Sequence, residues 1–193
     1  AKAAQAKVDA VKAELDKAVA LLKDKGNTEG LEAAKNELKT ATEATNVTDG
    51  KTTESADKYN EAKTAAEAVV KEAEGVIADV NSTTEDVANA LTKVNAAKAV
   101  LDDAKSKLVE AATADEKAKL KADSEALKKA DTRGKTPNSI DAYNTKFEAL
   151  KTQLEAAKTE AEKVLAKENN ATKEEAKAAQ AKVDAVKAEL DKA

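Results

Sequence analysis

The sequence lacks several of the side chains from which enzyme and metal sites are usually built. Histidine, cysteine, methionine and tryptophan are all absent. Their absence removes the commonest general base, all thiol chemistry and the usual zinc ligands. It also leaves no disulfide from which a redox compartment can be read. Carboxylates and lysines remain, but acid and base catalysis would require burial to shift their pKa values. We therefore expect that the protein is not an enzyme and has no catalytic, cofactor or metal site.

Arginine and aromatic residues are almost as scarce. The 33 basic residues include a single arginine, Arg133, and aromatic residues make up 2% of the chain. Specific recognition of nucleic acid generally relies on arginine forks and aromatic stacking. With 37 acidic residues the formal net charge is -4, so we predict no nucleic-acid partner. Apolar runs of about 18 residues are also missing, and no membrane insertion is expected of this segment.

Alanine and charged residues dominate what is present. There are 46 alanines against 34 larger apolar residues, and 36% of the chain is charged. Glycine and proline, which interrupt helices, number five and one. Enrichment in alanine, glutamate, lysine and leucine is typical of long helices and helical bundles. The composition therefore predicts an all-α fold.

Two internal repeats organise the sequence. The first 18 residues, AKAAQAKVDAVKAELDKA, recur unchanged as Ala176 to Ala193, and residues 51–60 resemble residues 135–144. Periods in this range indicate stacked supersecondary units. We expect a window cut from a tandem array with a 175-residue period. Residues 1–50 would be the C-terminal part (helices 2 and 3) of one module, 51–134 a complete three-helix module, and 135–193 the N-terminal part (helices 1 and 2) of the next.

Apolar residues at three- and four-residue spacing predict the buried face of each helix. For helix 1 the predicted core residues are Ile140, Tyr143, Phe147, Leu150, Leu154 and Val164, with Tyr59, Val70 and Ile77 in the earlier copy. For helix 2 they are Val87, Leu91, Val94, Leu101 and Leu108, with Val8, Val11, Leu15 and Leu22 in the N-terminal copy. For helix 3 they are Leu120 and Leu127, with Leu31 and Leu38 in the earlier copy.

Polar residues, glycines and the proline mark where these helices begin and end. Serine or threonine three residues before glutamate predicts a capping box, in which each side chain satisfies a backbone amide. Glycine favours a break after a helix, and proline is tolerated in a first turn. The predicted caps and breaks are Ser82 with Glu85, Thr113 with Glu116, Thr28, Gly26, Gly50, Gly134 and Pro137. Short connections make neighbouring helices antiparallel, so we expect tandem three-helix bundles in series, forming an elongated rod.

The phase of the module is open on the sequence alone. Counting from each glycine gives the order of helices one, two, three, but the circularly shifted order two, three, one is an alternative. In either phase the two identical 18-residue segments should differ in their surroundings. We expect the first copy to pack in a nearly complete bundle and the last copy to lack its third helix.

Two stretches of the chain resemble the FIVAR repeats of Gram-positive bacterial surface proteins. Each has the pattern Thr-x-x-Ser-x-x-x-Tyr, an alanine-spaced helix, Asn-x-Thr at a turn, and a helix with valine and leucine at core spacing. The matching residues are Thr52, Ser55, Tyr59, Asn81, Thr83, Val87, Val94 and Leu101, then Thr136, Ser139, Tyr143, Asn170, Thr172, Val183 and Leu190. The resemblance implies a wall-anchored or secreted protein at the bacterial cell surface, in which such modules form a helical stalk or an adhesive region.

Three functions are compatible with these patterns. The first is a monomeric stalk or spacer that projects an adhesive domain and has neighbouring repeats of the same chain as partners. The second is a three-helix adhesin module that binds a host plasma or matrix protein, which requires an exposed apolar patch. The third is a conditionally helical stress protectant, although regular caps and core spacing argue against a chain that never packs.

Overall fold

The computed structural model describes residues 2–192, and this part of the chain is all-α, as the composition predicts. Within it lie seven α-helices and one short 3-10 helix, Glu168–Asn170. The α-helices are α1 (Lys2–Ala20), α2 (Glu29–Thr42), α3 (Thr53–Ala78), α4 (Thr84–Ser106), α5 (Ala114–Ala126), α6 (Pro137–Leu165) and α7 (Lys173–Leu190).

Glycine and proline interrupt the helices where the sequence predicts breaks. Gly50 and Gly134 lie in turns before α3 and α6, with φ angles of 66° and 77°. Such positive values favour glycine because other residues meet their own Cβ atom there. Pro137 is the first residue of α6, where its missing N–H removes no helical hydrogen bond. Gly26 lies in the connection between α1 and α2.

Contacts divide the described residues into two compact units, one of residues 2–45 and 60–105 and the other of residues 46–59 and 106–192. In the second unit, α5, α6 and α7 all contact one another and form a three-helix bundle. Its buried residues are Ala112, Leu120, Leu127, Leu154, Ala157, Ala161, Val164, Ala171, Ala176, Ala179, Val183 and Val186.

The first unit buries apolar residues from α2, from α4 and from α3 beyond residue 60. Lys93 of α4 pairs with Glu72 of α3, with 2.8 Å between Nζ and Oε2. A shallow groove between α2 and α3 is lined by residues that include Thr42 and Val70. The buried apolar residues are Leu31, Leu38, Ala62, Ala66, Val70, Ala73, Val87, Ala90, Val94 and Leu101.

The helix order in these units differs from both predicted phases. The bundle of α5, α6 and α7 combines helix 3 of the predicted 51–134 module with helices 1 and 2 of the next, and α2, α3 and α4 follow the same order. Packing therefore crosses the predicted limits at 50/51 and 134/135. In the second unit the segment between α5 and α6 folds back against the bundle. Leu127 in this segment is fully buried, and the Ala130 N–H donates to the Tyr143 hydroxyl of α6 at 2.7 Å.

The surroundings of α1 are the largest departure from the prediction. Every described residue of α1 is exposed, and Val8, Val11, Leu15 and Leu22 are 60%, 69%, 61% and 78% exposed. Their assignment to a core is wrong. The two identical segments do differ, but in the opposite sense, since α7 is packed and α1 is not. The reason is that α5 and α6 cover the apolar face of α7, whereas no described helix covers that of α1.

Several other predicted core residues are only half-buried. They are Ile77, Leu91, Leu108, Ile140, Tyr143, Phe147 and Leu150. The last four lie in the first half of α6. Lys146 Nζ donates to the Lys192 carbonyl oxygen at 3.3 Å, so the end of α7 lies beside this half of α6. Ile140 and Tyr143 lie on the N-terminal side of that contact.

Candidate functional surfaces

The described residues contain little that resembles a chemical site. Among residues 2–192 no group of three or more metal-ligating side chains converges. In the same range, no helix combines the length and apolarity required to span a bilayer. The features that stand out are the backbone junctions at the helix starts, the polar contacts around α7 and the exposed face of α1.

A backbone junction in the first unit ties the segment before α2 to the segment before α4. The Gly26 N–H donates to the Ser82 carbonyl at 3.0 Å, and the Thr84 N–H donates to the Asp24 carbonyl at 3.1 Å. The two backbones approach so closely that a Cβ atom on Gly26 would lie 2.4 Å from Val87 Cγ2. Close approach, rather than a left-handed turn, therefore accounts for the glycine here.

The second unit has a junction of the same form between the segments before α5 and α7. The Ala112 N–H donates to the Ala171 carbonyl at 2.8 Å, and the Lys173 N–H donates to the Glu110 carbonyl at 3.0 Å. Both junctions thus join the entry of a third helix to the entry of a second helix. These junctions were not predicted, because they join backbone groups and the spacing of apolar side chains does not indicate backbone hydrogen bonds between distant segments.

Polar residues of the FIVAR-like pattern join the start of α3 to this second junction. The Thr52 N–H donates to the Val109 carbonyl at 2.8 Å, and the Val109 N–H donates to Ser55 Oγ at 3.2 Å. Asn170 Oδ1 accepts from the Glu54 N–H at 2.8 Å. Thr52 and Ser55 are buried. These side chains satisfy backbone groups where helices meet, which is a structural role.

Capping boxes start α5 and α7. Thr113 and Glu116 form the predicted box, with the Glu116 N–H donating to Thr113 Oγ1 at 3.1 Å and the Thr113 N–H donating to Glu116 Oε2 at 2.9 Å. Thr172 and Glu175 form an equivalent box. The backbone hydrogen bond from Thr113 lowers the pKa of Glu116. The hydrogen bond from Lys167, together with the Thr172 backbone, lowers the pKa of Glu175.

The cap of α4 lies one residue later than predicted. Thr83 and Asp86 form the reciprocal bonds, with the Thr83 N–H donating to Asp86 Oδ2 at 2.9 Å and the Asp86 N–H donating to Thr83 Oγ1 at 3.2 Å. The hydrogen bonds from Thr83 lower the pKa of Asp86. The Ser82 hydroxyl instead donates to the Val76 carbonyl at 2.7 Å. The predicted pairing of Ser82 with Glu85 is therefore wrong.

The cap of α2 also differs from the prediction. Thr28 occupies the N-cap position, but its side chain makes no capping hydrogen bond. Asn27 Oδ1 accepts from the Glu29 N–H at 3.0 Å and takes that role. An asparagine side chain reaches the backbone two residues on as readily as a threonine cap does, so the neighbouring asparagine was the signal that could have located the cap.

The two predicted core tyrosines have different surroundings. Tyr59 is 2% exposed, and burial raises the pKa of its phenol. Tyr143 is half-buried, and its ring centroid lies 6.0 Å from that of Phe147. A shallow cavity of about 180 Å³ opens beside Tyr143 and Ile140. Partial burial leaves an accessible aromatic surface at this end of α6.

The polar contacts of α7 connect it to both neighbouring helices. Gln180 Nε2 donates to Asp123 Oδ2 of α5 at 2.7 Å. Lys119 of α5 pairs with Asp184 at 3.9 Å, and Lys182 pairs with Glu160 of α6 at 3.8 Å. Hydrogen bonding from Lys119 lowers the pKa of Asp123. Specific polar partners thus flank the apolar seam on both sides.

The exposed stripe of α1 is a candidate interaction surface, which we call the α1 face. It comprises Val8, Val11, Leu15 and Val19 of α1 together with Leu22, two residues after the helix ends, and each is at least half exposed. Clustered exposed apolar residues mark interaction sites more often than single ones do. This surface was not predicted from the sequence, because the helical spacing of Val8, Val11, Leu15 and Leu22 had indicated a buried core.

Comparisons with protein-family models, curated proteins and solved structures gave no match for this chain. The FIVAR-type resemblance therefore remains a prediction from the order of motifs. Shape, burial and charge within the chain supply the remaining basis for a functional proposal.

Proposed function

We propose that the chain is a non-catalytic repeat region of a bacterial cell-surface protein, acting as a helical stalk or spacer that projects an adhesive domain. One observation carries the proposal: the same helix order and the same backbone junction occur in both units. A structure that repeats its connections as well as its helices is suited to extension by addition of further copies. The extracellular location follows from the FIVAR-type resemblance.

The proposed action is mechanical. The 29 residues of α6 span roughly 43 Å at about 1.5 Å per residue. The bundle resists separation of its helices under tension, because separating them would expose its buried leucines and valines to water. Neighbouring repeats would be the principal partners, and distance between the anchor and the projected domain would be the product of repeat number and repeat length.

Small-angle X-ray scattering on chains of one, two and three 175-residue periods tests the spacer. A spacer predicts a maximum dimension that increases by a nearly constant length per period. A compact particle would instead grow only as about the 0.38 power of chain length. Growth of the second kind would exclude the spacer, whatever the stability of the repeats.

The α1 face favours one alternative, a module that binds a host plasma or matrix protein. Its exposed valines and leucines provide the apolar patch that such binding requires. Capture of one defined plasma protein by the wild-type chain, with loss of capture by Val8→Asp, would support this alternative. Exposed Val100→Asp on α4 is the matched control. Equal capture by both variants would exclude the α1 face as the binding site.

The stress protectant is distinguished by thermal melting. Fully buried Leu31, Leu38, Leu120 and Leu127 predict a steep, cooperative loss of helix, because packed units melt together. A shallow transition from low helicity would favour the protectant and exclude both other proposals.

A further inference from the structure

The α1 face and the buried face of α7 are chemically the same surface. Residues 1–18 and 176–193 are identical, so Val8 corresponds to Val183 and Val11 to Val186. The exposed fractions are 60% against 0% for the first pair and 69% against 7% for the second. Any surface that accepts the side chains of α7 also offers a fit to those of α1.

That surface is the α5–α6 groove, which we define by the buried apolar residues of those two helices and by the residue that follows α5. They are Leu120, Leu127, Leu154, Ala157, Ala161 and Val164. In this structure α7 of the same chain occupies the groove. The groove is therefore an observed receptor for the repeated sequence, rather than an unoccupied cleft.

Charge complementarity extends the match beyond the apolar seam. On α7, Gln180 donates to Asp123, Asp184 faces Lys119, and Lys182 pairs with Glu160. The corresponding residues of α1 are Gln5, Asp9 and Lys7. Gln5 already donates to Asp9 at 2.9 Å, as Gln180 does to Asp184 at 2.8 Å. Gln5 and Asp9 of α1 thus make the same side-chain contact as Gln180 and Asp184, which face α5 in the groove.

We propose that α1 docks in the α5–α6 groove of a second copy of this chain, in place of that copy's α7. Each chain donates one α1 and offers one groove, so the contact is head-to-tail and open-ended. Tethering by residues 166–172 gives α7 an effective concentration on the order of millimolar. At micromolar protein, α7 keeps the groove, and exchange dominates only when α7 is weakened. The inference rests on sequence identity and observed packing, and is independent of the spacer function.

Matched aspartate variants in the full chain test the exchange. Val183→Asp places a carboxylate in the apolar groove and weakens α7, while Val8→Asp makes the same change on exposed α1. Sedimentation equilibrium should show that V183D self-associates with a dissociation constant at least about a hundredfold below that of the wild type. V8D alone should self-associate as weakly as the wild type. The double variant V8D/V183D should lose the tighter self-association of V183D.

Disulfide trapping tests the same contact without weakening α7. The chain has no cysteine, so a K7C chain and an E160C chain can be mixed at about millimolar concentration, where exchange competes with the tether. A disulfide between them reports α1 of one copy beside α6 of another. D9C is the control partner for E160C, because Asp9 corresponds to Asp184, which faces Lys119 of α5 and not α6. It should be trapped at a rate at least about tenfold lower.

Three results would overturn the proposal. The first is a V183D chain that associates no more strongly than the wild type, which would also be the outcome if two α1 faces simply paired with each other. The second is equal association of V183D and V8D/V183D. The third is equal trapping of K7C and D9C by E160C. None of these results bears on whether repeats extend the molecule, so the spacer proposal is tested separately.

Discussion

At the scale of single residues, neighbours decide burial more than side-chain type does. Val8 and Val183 have the same flanking sequence, yet one is 60% exposed and the other fully buried. Their helix propensities and local side-chain contacts are the same. Any difference between equivalent substitutions therefore measures tertiary packing alone.

Truncation of the two valines is the first prediction. We expect Val183→Ala to lower the free energy of unfolding by about 2 kcal/mol, through lost burial and a residual cavity. Val8→Ala should change it by no more than about 0.5 kcal/mol, as is usual at exposed positions. Urea denaturation followed by circular dichroism gives both values. Equal losses would mean that α1 is packed in solution.

Glycines provide a second prediction at this scale. Gly75 lies inside α3, and a Cβ atom added there meets nothing within 4 Å. Gly75→Ala should therefore stabilise the protein by about 1 kcal/mol, the difference in helix propensity. Gly50→Ala should destabilise it by about 1 kcal/mol, because its φ of 66° is unfavourable for alanine. Thermal melting of both variants checks the opposite signs.

At the scale of helices, the sequence locates cores better than it locates caps. The α4 stripe was predicted correctly at Val87, Val94 and Leu101, because each position satisfies the same helical spacing. Its cap was displaced by one residue. Ser82, Thr83 and Thr84 all have capping hydroxyls, and only the position of the turn decides which of them faces the helix amides.

Removing the observed and the predicted capping carboxylates distinguishes them. Asp86→Ala should cost about 1 kcal/mol, because the Thr83 N–H loses its partner at the start of α4. Glu85→Ala should cost less than about 0.5 kcal/mol. Denaturant titration measures the pair. A larger loss for Glu85 than for Asp86 would show that the cap lies at the originally predicted position.

The carboxylate cap of α7 predicts a loss of stability in acid. Lys167 and the Thr172 backbone lower the folded-state pKa of Glu175 below its ordinary value of 4.5. Its contribution is therefore complete above pH 4.5 and is lost as the pH falls through the folded pKa. Glu175→Gln retains a capping acceptor but should reduce this pH dependence. Glu174→Gln, at an exposed neighbour, is the control for melting temperatures measured against pH.

At the scale of the whole molecule, the sequence predicted three-helix packing but not its order. Helical periodicity identifies which face of each helix is apolar and does not state which other helix covers it. The glycine turns suggested limits at Gly50 and Gly134, where the backbone does turn. The bundle nevertheless combines helices from both sides of Gly134, because Leu120 of α5 and Leu127 directly after it pack into the seam between α6 and α7.

Hydrogen exchange gives the most direct test of this packing. Because the two copies have the same sequence, their unprotected amides exchange at nearly the same rate. We expect amides of residues 179–190 to exchange at least about a hundredfold more slowly than those of residues 4–15, since α1 lacks the tertiary contacts that stabilise a short helix. In denaturant the two copies should become equal. Equal protection under native conditions would contradict the structure.

The identical segments separate what sequence alone determined from what the tertiary structure decided. Both are helical, both have a glutamine that donates to an aspartate four residues on, and both pair a lysine with a glutamate three residues before it. These contacts depend only on residues one turn away, so the sequence fixes them wherever it occurs. Burial depends on whether helices with a complementary face lie alongside, and α5 and α6 provide that face for α7.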